Sequence, residues 1–309
     1  MEKMYILSKK KEKWAIQRRK ALKGVLVGKP INKNKHADVY YRTAMEKEFL
    51  KFLDSLKKDL AESYAVLKIN NAKRSPAEVR RVLKWYKTNK FKIYLQNSVK
   101  IIEKWLKLAA IEADKSASKR LFELAGKEIS IQYDKSYDEA LKLMIERNVQ
   151  LITNTTTQIL TNVENIVYDG MTTGEGWAQI ERDLATQTKI SKDRIKRIAR
   201  DQTAKTNEAL NQIEQRSAGF EFFEWDTAQD ERVSTGYGGH KQLQGKIYRW
   251  GDEANYPVID SYGHRGLPAQ RPNCRCTALP VVILKGYKAK QLSDGSYEIV
   301  KAGGLFDEV

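Results

Sequence analysis

The chain has 309 residues, 41% of them hydrophobic, 9% aromatic and 31% charged, which is enough apolar content to bury cores in about two domains of roughly 100–200 residues each. With two cysteines, a disulfide framework is excluded and a reducing compartment is the simpler expectation. No apolar run approaches the roughly 20 residues of a membrane span, and the lysine-rich start gathers no apolar core of secretory type.

The net charge of +17 is unevenly distributed. Residues 1–35 hold twelve Lys/Arg against two Glu, a net of +10, whereas 220–309 are at −1 and the middle carries +8. Residues 1–35 therefore read as a basic arm. In it Lys9, Lys10, Lys11, Lys13, Arg18, Arg19, Lys20 and Lys23 are candidate nucleic-acid contacts, since lysines near phosphates release condensed counterions. The same charge also suits a solubilising surface. Met4, Ile6, Leu7, Trp14, Ile16 and Leu22 would make one amphipathic face for a membrane surface, a partner not expected here.

GVLVGKPINKNK at 24–35 has two glycines, a proline and two asparagines, so an initial helix should stop there. From about Ala37, a stripe of Tyr41, Met45, Phe49, Phe52, Leu56, Leu60, Tyr64 and Leu67 steps by three or four and predicts a helix. Ser75-Pro76-Ala77-Glu78 reads as an N-cap with proline at the first helical position, opening a helix that carries Val79, Val82, Leu83 and Tyr86. A further helix is expected over 91–113, with Tyr94, Ile101, Trp105 and Leu108 inward.

Ser136-Tyr137-Asp138-Glu139 repeats the capping pattern and should open the longest helix. Its stripe is Leu141, Ile145, Val149, Ile152, Thr156, Ile159, Val163 and Ile166, and the threonines at 155–157 favour a bundle over a heptad seam. Thr172-Thr173-Gly174-Glu175 can cap a short helix through Leu184. Ser191 can cap another that Gly219 closes. After that, FEFFEW, KIYRW and TALPVVIL read as strands, separated by a loop-like 251–273.

The predicted fold class is α+β: a mainly helical N-terminal two-thirds followed by a small mixed α+β C-terminal domain. The expected divisions are an arm at 1–35, a helical domain at 36–170, a third segment at 171–285 and a tail at 286–309. The third segment comprises a helical lead at 171–219 and a mixed module at 220–285.

The chemically suggestive residues fall in 226–276. Cys274 and Cys276, two apart in an extended strand, would aim both sulfurs at one side. With His240 they supply three of zinc's four tetrahedral ligands, and His264, Asp230, Asp226 or water would be the fourth. Alternatively the thiols are small buried residues and the histidines bond to backbone. A Cys–His nucleophile pair, or a metal-free nuclease using His240, His264 and Arg271, is also conceivable, but no glycine-rich phosphate loop is present.

Three blocks recur in a distinctive order: WDTAQDER (Trp225 to Arg232), HKQLQGK (His240 to Lys246) and PAQRPNCRC (Pro268 to Cys276). Together they resemble the signature of the Mu-F-like phage head-morphogenesis, or minor head, proteins. Trp225, Asp226, Asp230, Arg232, Gly245, Pro272, Asn273 and Arg275 carry the likeness. IARDQTAKTNEALNQ, Ile198 to Gln212, resembles the helix leading into that signature. The likeness covers about 170–285, and the N-terminal half matches only in being long, helical and basic.

The resemblance implies a structural virion protein without catalytic residues. Such a protein associates with the portal and with double-stranded DNA, and with scaffold or major capsid protein as further partners. It lies inside the capsid near the portal vertex, is in the host cytoplasm during assembly, and influences packaging or ejection. Many relatives have a C-x-x-C pair after the D-E-R block and a histidine before the last cysteines. Here His240 stands at the second of those earlier cysteines, the first falls near Ser234 or Tyr237, and Arg271 stands where the late histidine would be. Part of a metal site is therefore lost, or rebuilt with His264. Outside that family reading stand a nuclease- or transferase-type enzyme in 220–285 and a zinc-stabilised interaction module.

Overall fold

The computed structural model describes residues 24–30, 34–69, 76–125 and 135–302. The arm lysines and arginines from Lys9 to Lys23, the initial helix and the cap residue Ser75 lie outside the described residues. The fold is α+β, as expected, with two compact units. One comprises Lys35–Leu108 and Asp138–Gln202, and the other the described residues of Met1–Asn34, Ala109–Tyr137 and Thr203–Val309.

The first unit is a helical bundle. Helix α1 (Lys35–Ile69) buries its stripe from Tyr41 to Tyr64 as the three- and four-residue steps require. Helix α2 (Pro76–Trp85) starts at the anticipated proline. It then passes through a single π turn at Tyr86–Lys90 into helix α3 (Phe91–Ala125). The expected break near 87–90 and end near 113 are corrected: neither Gly nor Pro occurs between 77 and 125, so a local widening of the helix absorbs the misfit.

Helix α4 (Lys135–Thr173) buries Ile152, Thr156, Ile159 and Val163 in the same core as α1, which is the bundle packing anticipated for it. Tyr41 stacks on Trp105 with ring centroids 4.2 Å apart, and its hydroxyl donates to Asn148 Oδ1 at 3.1 Å. Tyr86 donates to Asp59 Oδ2 at 2.7 Å and lies 2.6 Å from Ser55 Oγ. These two phenols of the core thus keep hydrogen-bond partners.

Helix α5 (Trp177–Ser217) has 41 residues and exceeds α4, which has 39. It runs without interruption where two helices were expected. Ser191 does not cap; its Oγ donates to Gln187 O at 2.7 Å inside the helix. Thr172 and Thr173 likewise bond back to Tyr168 O and Asp169 O of α4 instead of opening the next helix. Gly219 does terminate α5, at φ +82°. Phe220 N donates to Gln215 O at 3.1 Å and Gly219 N to Arg216 O at 2.9 Å, the paired bonds of a Schellman cap.

The second unit is built on a six-stranded antiparallel sheet, in the order β1-β4-β2-β3-β6-β5. The anticipated strands are β2 (Phe222–Asp226), β3 (Ile247–Arg249) and β4 (Thr277–Ile283). Three more come from stretches read otherwise. β1 (Val25–Val27) lies where the chain was expected only to turn, and β5 (Tyr287–Gln291) and β6 (Tyr297–Lys301) lie in the stretch read as a tail.

The period of two divides the sheet between two cores. Phe223, Trp225, Tyr248, Cys276 and Ala278 enter one, and Val25, Val27, Ile247, Leu279 and Val281 the other. β1 reaches β4 only at Val281–Ile283. Next to it, the outward peptide groups of β4 are taken by side chains of α5. Glu208 Oε1 accepts Ala278 N at 2.8 Å, and Asn211 Nδ2 and Gln215 Nε2 donate to Ala278 O at 2.8 and 3.0 Å. A short strand and a polar helix face thus close an edge that would otherwise be open.

Candidate metal centre

Three elements bring the site together. Trp225 at the end of β2 is fully buried, and its ring lies edge-on to the His240 imidazole at 5.5 Å. A one-turn helix, His240–Leu243, holds the imidazole. Ser234 fixes that turn: its Oγ accepts His240 N at 3.1 Å and its carbonyl accepts Lys241 N at 3.0 Å. Cys274 and Cys276 lie just before β4. Their sulfurs are 3.3 and 3.4 Å from His240 Nδ1, so both do face one side, as the C-x-C spacing predicts.

His240 Nε2 lies 3.1 Å from Ile259 O. A carbonyl can only accept, so Nε2 carries a proton, and in the neutral ring this leaves the Nδ1 lone pair facing both sulfurs. Metal-bound histidines are typically oriented this way, by a bond from the other ring nitrogen. All three residues are buried, and their ligand atoms lie within 4.8 Å of one another. A tetrahedral zinc with ordinary bond lengths places N and S about 3.5 Å apart, so the spacing fits with little adjustment.

The bond from Cys276 and the imidazole beside it pull the Cys274 thiol down to about 4, while the Cys274 sulfur and burial push the Cys276 thiol up. Burial alone would lower the His240 imidazole, yet the Cys274 sulfur lifts it above its ordinary value. One thiolate beside one imidazole is also what a nucleophile pair needs. Two sulfurs converging on one nitrogen, however, is the geometry of a chelate.

The other expected residues occupy supporting positions. His264 is outside the trio: its side chain is largely exposed, and Nδ1 lies 2.7 Å from Asp260 Oδ2, which also accepts from Arg271 at 2.6 Å. Asp230 accepts two bonds from Arg275, at 2.6 and 2.7 Å, and a third from Arg232 at 3.0 Å. It is therefore tied through Arg275 to the segment that bears the cysteines. Asp226 Oδ1 accepts Gln244 Nε2 at 3.1 Å. Gly245 (φ +77°) and Asn273 (φ +59°) make tight turns, and Pro272 lines the cleft beside the trio. That cleft, of about 370 Å³, is also lined by Arg232, Tyr237, Asp260, Arg271 and Arg275.

Residues 161–279 match the family described as phage Mu protein F like protein. That stretch is similar to the Mu-F-like phage head proteins. An uncharacterized protein of Haemophilus influenzae is 26% identical over 265 residues, covering 82% of this chain and 55% of that relative. Minor head protein GP7 of Bacillus phage SPP1 is 24% identical over 154 residues, 47% of this chain and 48% of GP7. The chain thus spans about half the length of the curated relatives it matches. No solved structure matches.

Three residues around the site matter that the spacing of the motifs did not announce. Gln244 joins two of the signature blocks: its Oε1 accepts Thr227 N and Thr227 Oγ1, both at 2.7 Å, while its Nε2 reaches Asp226. Asp260 is buried and holds its own turn through Tyr262 N and His264 N, both at 3.0 Å. Glu208 anchors β4. Of these only Glu208 left a periodic trace, since Glu208, Asn211 and Gln215 step by three and four along one helix face.

Asp260 also predicts an acid dependence. Burial would raise its carboxyl, but His264 and two backbone N–H groups hold it at about 2; Lys246 holds Asp294 at about 2 in the same way. Both folded values lie below the unfolded value of about 3.9. Their contribution is therefore complete above about pH 4 and lost as the pH falls towards 2. Urea midpoints measured from pH 5 to 2 should fall for the native chain and fall less for Asp260→Asn; equal acid sensitivity would refute the role.

Proposed function

We propose that this chain is a non-enzymatic minor head protein of a tailed bacteriophage. It docks on the portal, contacts double-stranded DNA inside the head, and acts in head assembly and in genome packaging or ejection. The observation that carries this reading is the Mu-F-like match over 161–279, which takes in the β2, His240 and Cys274–Cys276 region. The name of the SPP1 relative, a minor head protein, supports it. Segregated charge, +10 on residues 1–35 against −1 on 220–309, favours the front of the chain as the part that meets DNA. Scaffold or major capsid protein are the other candidate partners during assembly.

His240, Cys274 and Cys276 are the residues that would hold a zinc ion. A zinc ion held there would be structural, stapling a loop-rich segment whose core includes few large aliphatic side chains. Two measurements test these readings. The tagged chain, produced in an infected host, should copurify with portal and be present in mature heads; heads assembled in its presence that never contain it would overturn the functional reading. Native protein should contain about one zinc per chain, and Cys274→Ser with Cys276→Ser none. Native protein without zinc would overturn the metal assignment and leave the family reading intact.

A further inference from the structure

Outside the trio, a strongly charged groove lies on the helical bundle between α1 and the middle of α5. It has a volume of about 250 Å³ and is lined by Val39, Arg42, Thr43, Glu46, Lys196, Arg197 and Arg200. Arg42, Lys196, Arg197 and Arg200 are all exposed. The only carboxylate in the lining, Glu46, already accepts Lys192 at 3.0 Å and Lys196 at 3.4 Å. Asp38, one turn from Arg42, accepts Trp105 Nε1 at 3.3 Å and is directed into the core. The lining is therefore net positive by three charges.

The source of this charge is a short run of sequence. Residues 189–200 contain Lys189, Lys192, Arg194, Lys196, Arg197 and Arg200 against one acid, Asp193. Lys192, Lys196 and Arg200 are four residues apart, so they recur on one face about every 6 Å. The buried residues of the same segment, Ile195 and Ala199, point into the bundle. Packing thus keeps the cationic face outward.

We propose that this groove is a binding surface for the phosphodiester backbone of duplex DNA, separate from the basic arm. The inference rests on the DNA part of the function proposed above. Three observations favour phosphate over an acidic protein. Three of the four cations are arginines, whose guanidinium fork matches phosphate oxygens in pairs. The groove has no buried aromatic or aliphatic anchor of the kind that supplies most protein–protein affinity, for its one apolar residue, Val39, is itself exposed. A row of cations about 12 Å long also runs alongside roughly three to four phosphates of one strand at 3.4 Å each. Such a surface is blind to base sequence, as a protein handling a whole genome requires.

The test uses the full chain and a labelled random-sequence duplex, with binding followed by fluorescence anisotropy across a salt series. Arg42→Gln, Arg197→Gln and Arg200→Gln are combined in one groove variant, which spares the Lys196–Glu46 pair and costs little helix propensity. The groove variant should lose about 2.7 from the slope of log affinity against log salt, and on the order of 100-fold in affinity at 0.15 M salt. Arg197→Gln alone should lose about 0.9, which keeps the test open should the triple variant not fold. Arg→Lys at the same three positions should retain the slope.

An arm variant, Lys9→Gln with Lys10→Gln, Lys11→Gln and Lys13→Gln, separates the two claims. Binding lost in the arm variant but unchanged in the groove variant would overturn the groove and leave the DNA reading standing. No binding by the native chain at low salt would overturn both. Polyglutamate competing as well as DNA at equal charge would show a general acidic-partner surface and overturn the assignment to phosphodiester.

Discussion

Trp105→Ala should lower the stability of the helical bundle by about 3–5 kcal/mol, the usual cost of emptying a core aromatic site. Trp105 is completely buried between α1 and α3. It stacks on Tyr41 with the ring planes 11° apart, and its Nε1 donates to Asp38 Oδ1 at 3.3 Å. The substitution leaves a cavity, strips Tyr41 of its stacking partner and leaves Asp38 short of a donor. Several core residues would have to move to close the gap, and helices held on several sides can do so only in part. Trp105→Phe keeps a ring against Tyr41 and should cost clearly less than alanine. Urea unfolding followed by far-ultraviolet circular dichroism checks both, and an alanine variant within about 1 kcal/mol of native would contradict the packing described.

Glu208→Ala should cost about 2–4 kcal/mol, because hydrogen bonds to a charged acceptor are worth roughly 1.5–3 each and buried donors are expensive to orphan. Glu208 is buried; it accepts Thr277 Oγ1 at 2.5 Å and Ala278 N at 2.8 Å, and Asn211 Nδ2 approaches it at 3.2 Å. Its removal leaves the Ala278 amide without this acceptor at a point where β1 no longer covers the strand. Glu208→Gln keeps one oxygen acceptor and should fall between native and alanine. The discriminating readout is amide hydrogen exchange: protection should drop at Ala278 and much less at Leu279, whose residue partner is Glu224 of β2. Unchanged protection at Ala278 would remove Glu208 from this role.

The two substitutions probe different kinds of information. Trp105 belongs to a stripe, and stripes are local: one side chain every three or four residues must face the core whatever the helix packs against. The inward faces of α1 and α4, the start of α2 at Pro76 and the close of α5 at Gly219 could all be read from the chain for that reason. Ends were harder. Ser191, Thr172 and Thr173 have the chemistry of caps, but their hydroxyls can bond a carbonyl four residues back at similar cost. With no glycine or proline to force a stop within 177–217, the helix continued through Ser191.

The strands divide in the same way. FFEWD, IYR and TALPVVI announce themselves by aromatic and branched side chains, whereas YKAKQ and VLV carry too little pattern to stand apart from a loop. They become strands only because β6 and β4 offer unpaired peptide groups beside them.

What the sequence determined by itself is the type and facing of each strongly periodic element, the α+β class, the order of the signature blocks, and the aim of both cysteines at one side. Those follow from backbone geometry over a few residues. Tertiary structure alone decided how closely His240, the imidazole expected beside the two sulfurs, meets them, which arginine Asp230 binds, that Asp226 binds Gln244, and that Glu208 seals β4. Each of those contacts joins residues between 18 and 70 positions apart. Their partners are selected by which loop closes over which, a matter of packing and burial that no local spacing encodes.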